Sequence, residues 1–125
     1  MKRLPPCLFA FFVLIALSGN AVDIYIATNG SDSNPGTKDK PLATLTTALR
    51  KARELRRLND PSVSNGIHII IHGGTYFIHE PIVIRPEDAG TATSPTFIEA
   101  ATDEQPVLSG GVKIDGPVLD RKSVV

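Results

Sequence analysis

Cysteine, methionine and tryptophan are almost missing from this chain: 125 residues hold one Cys, one Met and no Trp. The lone cysteine, Cys7, falls in a leader expected to be removed, so the mature chain carries no thiol. A disulfide-stapled scaffold, a cysteine zinc site and a thiol nucleophile are excluded together. Excess charge is missing too, since 13 Lys and Arg face 13 Asp and Glu. That balance speaks against a nucleic-acid partner, which needs a basic surface. The longest apolar run, Leu8 to Leu17, is well short of the ~20 residues that cross a bilayer core. After removal of the leader no membrane partner is expected.

The ends are distinctive. Lys2 and Arg3, the run Leu8 to Leu17, and the short residues Ser18, Gly19, Asn20 and Ala21 have the layout of a secretory signal peptide over residues 1–21. Cleavage after Ala21 would start the mature chain at Val22 and deliver it to the periplasm or beyond the cell. At the other end, Asp120-Arg121-Lys122-Ser123-Val124-Val125 breaks the preceding pattern and resembles translated sequencing adapter, so residues 120–125 are expected to be a non-native tail. Residues 22–119 form the expected domain.

Within it, Asp23 to Thr28 alternates, with Ile24 and Ile26 on one face and Tyr25 on the other, as a strand does. The loop Asn29 to Thr37 is dense in turn formers. From Thr44, an N-cap, Leu45, Ala48, Leu49, Ala52 and Leu55 recur at helical spacing and make one apolar stripe. Asn59-Asp60-Pro61 stops that helix. Its cations Arg50, Lys51, Arg53, Arg56 and Arg57 read as a solvated face favoured by the helix dipole.

Strand-like periods follow in Ile67 to His72, Tyr76 to Ile78, Ile82 to Ile84, Thr96 to Ala100 and Pro106 to Leu108, separated by turn material that includes Gly73-Gly74 and Gly110-Gly111. Ile70 to Thr75 and Val107 to Val112 echo each other: an apolar pair, a polar residue and a double glycine. Recurring short strands suggest stacked coils, although a sandwich of hairpins gives similar strand lengths. The helix placed ahead of the strands, and the lack of two-residue hairpin turns, favour the coil.

Tyr25 to Thr37, Pro41 to Leu45, His72 to Tyr76, Glu80-Pro81-Ile82, Pro86 to Thr91, Ser94-Pro95 and Pro106 to Gly111 together resemble the N-terminal cap of secreted proteins of the pectin-lyase-like superfamily. That resemblance implies an all-β, right-handed parallel β-helix, a solenoid with an N-terminal capping strand and α-helix, truncated after its first coils. It also implies a carbohydrate-active parent acting on polysaccharide, a glycoside hydrolase ahead of a polysaccharide lyase or a non-catalytic glycan-binding or adhesion β-helix. Fold alone does not choose among these.

The chemistry-bearing residues form no recognisable active site. His68 and His72 share a strand face, but four extended residues separate them by roughly 13 Å, beyond the span of one metal ion. His79 reaches either only across a turn. Glycosidic cleavage needs two carboxyl groups about 5–10 Å apart. Of Glu80, Glu87, Asp88, Glu99, Asp103, Glu104 and Asp115, only Glu99 lies on a strand, and solvated carboxylates are the expectation. A lyase would pair a base with calcium-binding acids, and the sequence sets no acidic cluster beside Lys113 or Arg85. Asp32 and Asp39 offer oxygen ligands but serve equally as turn formers. Ser109 lacks a nucleophile elbow, and Asn29-Gly30-Ser31 is a short glycosylation pattern of little specificity. No catalytic, cofactor-binding or metal residue is assigned, no cofactor is expected, and the chain by itself is expected to be inactive.

Overall fold

The computed structural model describes residues 19–113. Most of the leader and the tail from Asp120 to Val125, like Asp115, lie outside the described residues. Strand β1 (Val22–Ile26) comes first, followed by helix α1 (Leu45–Arg57) and strands β2 (Ile67–Ile71), β3 (Gly74–Phe77), β4 (Thr96–Ala100) and β5 (Pro106–Ser109). They make two parallel sheets, one of order β1-β2-β4 and one pairing β3 with β5. Every named strand pair is parallel, which removes the sandwich of hairpins. The arrangement is compatible with a β-helix.

Register aligns the inward residues in rows: Val22, Ile67 and Thr96; Ile24, Ile69 and Ile98; Ile26, Ile71 and Ala100. Strand residues alternate faces, so one face of this sheet becomes an aliphatic ladder. The helical stripe Leu45, Ala48, Leu49 and Ala52 packs on it, joined by Leu42 and Val63. Each of Ile24, Ile26, Leu42, Leu49, Ile67 and Ile69 is fully buried and contributes roughly 1.5–3 kcal/mol of apolar transfer.

The free edge of β1 is covered by the turn-rich loop rather than by the helix. Tyr25 donates its amide to the Gly36 carbonyl at 2.8 Å, Leu42 donates to Tyr25 O at 2.8 Å, and Ala27 donates to Leu42 O at 2.9 Å. A strand edge needs such partners or a chain will add to it. Gly30 lets the loop lie this close, because a Cβ there would strike the Leu42 carbonyl. Work is divided: the loop satisfies the edge and the helix fills the interior.

Asp32 joins the two. Its Oδ1 accepts from the amides of Ala43 and Thr44, both at 3.0 Å, and its Oδ2 from the Thr44 hydroxyl at 2.8 Å. Thr44 in turn accepts from the Thr47 amide as N-cap. Burial works against the Asp32 charge, but the Thr44 hydroxyl and the two amides outweigh it and bring its pKa below the ordinary value. Asp32 is therefore a capping residue whose oxygens are occupied. Asp32→Ala is expected to cost about 1–2 kcal/mol, measured by urea denaturation; an unchanged midpoint would remove it from the cap.

The structure corrects three expectations. Ile82 to Ile84 is not a strand: Ile82 packs on the core, while Val83 and Ile84 are 61% and 62% exposed. The Val83 carbonyl is taken by Arg53, Pro81 and Pro86 bracket the segment, and no strand lies beside it among the described residues. The double-glycine echo is not a structural repeat, since Ile70-Ile71 belong to β2 and Val107-Leu108 to β5, in different sheets. Gly74 begins β3 instead of separating strands.

Solvated arginines are the third correction. Asp88, in a 3-10 turn over Pro86–Asp88, is 3% exposed. Arg53 reaches it with Nε at 2.5 Å and Nη2 at 2.8 Å, and the Arg85 amide donates to it at 2.7 Å. Arg56 donates to the hydroxyls of Ser94 and Thr96, each at 2.8 Å. Two guanidinium groups thus clamp α1 to the segment that leads into β4. Gly90, at φ +77, passes so near Ser94 O and Arg56 that only a residue without Cβ fits.

Candidate functional site

The outer face of the three-stranded sheet gathers the ring-bearing and acidic residues. Asp23 stands beside His68 and Phe97, and Tyr25 beside Ile70 and Glu99, because the parallel register repeats each outward position on the next strand. His68 Nδ1 lies 2.6 Å from Glu99 Oε1. His72, just past β2, places Nδ1 at 3.1 and 3.2 Å from the two Glu104 oxygens. A carboxylate oxygen accepts, so Nδ1 is the donor in both pairs.

Rings complete the array. Tyr25 stacks on His72 with centroids 5.9 Å apart, and Phe97 lies at 5.0 Å from His68, tilted by 43°. The Tyr25 hydroxyl reaches Asp23 at 3.3 Å. Glu104 also accepts from the Gly73 amide at the corner between the sheets; that bond first, then His72, hold its carboxyl below the ordinary range. Phe97 is 48% exposed, so the array is open to solvent.

On the inner side, a cavity of about 320 Å³ lies between the sheets and the start of α1, lined by Thr44, Thr47, Ile71, Tyr76, Ile82 and Leu108, with His79 and Glu80 also on its wall. The Tyr76 hydroxyl donates to the His72 carbonyl at 2.7 Å. Burial, then the Glu104 charge, raise its pKa, so it remains a neutral donor. This wall is largely aliphatic and continues the core.

The sequence-stated candidates separate accordingly. His68 and His72 do lie on the outer face, each with its own carboxylate instead of a shared ion. Among the described residues no group of three His, Cys, Asp or Glu converges as a metal site would require. Glu99 and Glu104 are engaged with histidines, Asp88 is structural, and Glu87 sits 3.9 Å from Arg85 Nη1. Arg85 thus has as acidic neighbours Glu87 and Asp88, two and three residues along the chain. Ser109 uses its hydroxyl to accept from the Gly111 amide, as a turn serine. The histidine–glutamate pairs were missed because they depend on how distant segments come together; setting Ile67 to Ile71 against Thr96 to Ala100 by their shared alternation puts His68 opposite Phe97 and Glu99 one outward position further along the same face.

No family model matches the chain. Over 92 residues it is 34% identical to the uncharacterized protein YwoF of Bacillus subtilis (strain 168), covering 74% of this chain and 16% of that one. It is 32% identical over 90 residues to pectate lyase PEL9 of Emericella nidulans, covering 72% and 19%. A solved glycoside hydrolase superimposes with a TM-score of 0.74 and 54% identity over 77% of this chain and 16% of its own. The relationship is to carbohydrate-active proteins of the pectin-lyase-like, β-helix kind. The chain spans less than a fifth of the length of each of these relatives.

Proposed function

We propose that the chain is the N-terminal portion of an exported, right-handed parallel β-helix protein that acts on polysaccharide, a glycoside hydrolase in preference to a lyase. The observation that carries this reading is the 54% identity and 0.74 TM-score to a glycoside hydrolase, well above the 32% identity to the pectate lyase. Export is supported by the signal-peptide layout of residues 1–21 and by a first strand that begins at Val22, the residue after the expected cleavage point. The residues described here supply the sealed end of the solenoid, and the carboxyl groups for glycosidic cleavage belong to coils beyond Leu119.

Sequencing the source gene beyond the codon for Leu119 tests this directly. Continuation through further glycine-turned strands with clustered Asp or Glu, followed by release of reducing sugar by the full product, is the expected result. A native stop after Val125 would overturn the hydrolase reading. For export, residues 1–21 fused to a periplasmic reporter should be cleaved after Ala21; retention of the uncleaved fusion in the cytoplasm would refute it.

A further inference from the structure

The outer face of the three-stranded sheet has a composition that discriminates between classes of glycan. None of β1, β2 or β4 contains a lysine or arginine, whereas Asp23, Glu99 and Glu104 all gather on or beside that face, with Glu104 held ionised by the Gly73 amide and His72. A polyuronate brings one carboxylate per sugar and would need cations where this surface offers acids. Neutral sugars bring hydroxyl donors, which carboxylates accept well.

Tyr25 and Phe97 stand on the two outer strands, each backed by an imidazole of the central segment, His72 and His68 respectively. An aromatic face carries negative charge density and attracts the polarised C–H groups that line one side of a pyranose. Rings held by neighbours lose little freedom on binding. We infer that this face is a glycan subsite for a neutral, hydroxyl-rich polysaccharide and against polyuronates, with Tyr25 and Phe97 as stacking residues and Glu99 as the charge filter. It rests on the carbohydrate reading above and specifies its substrate class.

Affinity electrophoresis of the purified chain through gels containing arabinoxylan, hydroxyethyl cellulose or polygalacturonate tests the assignment. A neutral glycan should retard the protein and polygalacturonate should not. Tyr25→Ala and Phe97→Ala should each weaken retardation at least fivefold, with circular dichroism matching the parent, and Glu99→Lys should introduce retardation by polygalacturonate. Retardation by polygalacturonate in the parent would overturn the substrate class while leaving the carbohydrate reading intact. Retardation by neutral glycan that both alanine variants retain would overturn the site. Failure to bind any of the three glycans would overturn this subsite, and the reading of the longer protein would then stand or fall on its own sugar-release assay.

Discussion

Asp88→Asn is expected to cost about 2–4 kcal/mol of stability, seen as a lower urea midpoint at unchanged slope. The ionised carboxylate accepts from Arg53 Nε, Arg53 Nη2 and the Arg85 amide. An asparagine keeps one acceptor oxygen and turns its NH2 toward a donor. The loss stays near the low end of the range for a broken buried pair, since the Arg53 side chain is 25% exposed and water can receive its charge. The pH dependence has a fixed sign. Arg53, against the cost of burial, holds the Asp88 pKa below its ordinary value. A carboxyl depressed in the folded state stabilises fully above the unfolded pKa of about 4 and loses that contribution as pH falls through the lower folded value. The parent should therefore weaken on acidification through that window more than Asp88→Asn does. Parallel acid titrations of the two, followed by circular dichroism, would show otherwise if the clamp were dispensable.

A second large effect is expected at Ile69, which is fully buried between Ile24 and Ile98 in the middle row of the ladder. Ile69→Ala removes three carbons beneath the helical stripe and should cost about 3–4 kcal/mol, transfer and cavity together. Ile98 occupies the same row one strand later but is 41% exposed, so Ile98→Ala should cost about 1 kcal/mol. Equal losses at the two sites would mean that the row is buried alike at β2 and β4, contrary to the packing described.

The elements that could be read from the amino-acid order are those whose signal is local. The alternation of Ile24 and Ile26, the Thr44 cap and the stripe from Leu45 to Ala52 all lie where expected, since each is set by neighbours a few residues away. What escaped was decided by partners distant in sequence. Arg53 looks like any exposed helical cation until the chain brings Asp88 beneath it, 35 residues later. Glu99 reads as a solvated acid until the sheet places it on the outer face diagonally across from His68, one outward position along the neighbouring strand. Ile82 to Ile84 has the period of a strand, but periodicity describes a side-chain pattern and cannot supply the neighbouring backbone that makes a strand. The double glycines drew attention through likeness of composition, while the actual correspondence, Ile67 with Thr96 and Gly74 with Pro106, lies between segments of little sequence identity.

The loop that closes one edge of β1 also gives the molecule a direction. With Leu42 and Gly36 bonded along that side, strands add only toward β4, in the order in which the chain is synthesised. Each new strand then finds its template already formed and closes a loop of one crossover, an entropic cost that does not grow with the length of the whole. A parallel sheet begun in this way is a ratchet for vectorial folding: it assembles on the strands already made without waiting for its last residue. Substitutions that open the seal, at Gly30 or Asp32, should delay the docking of β2 and β4 even though they leave those strands untouched.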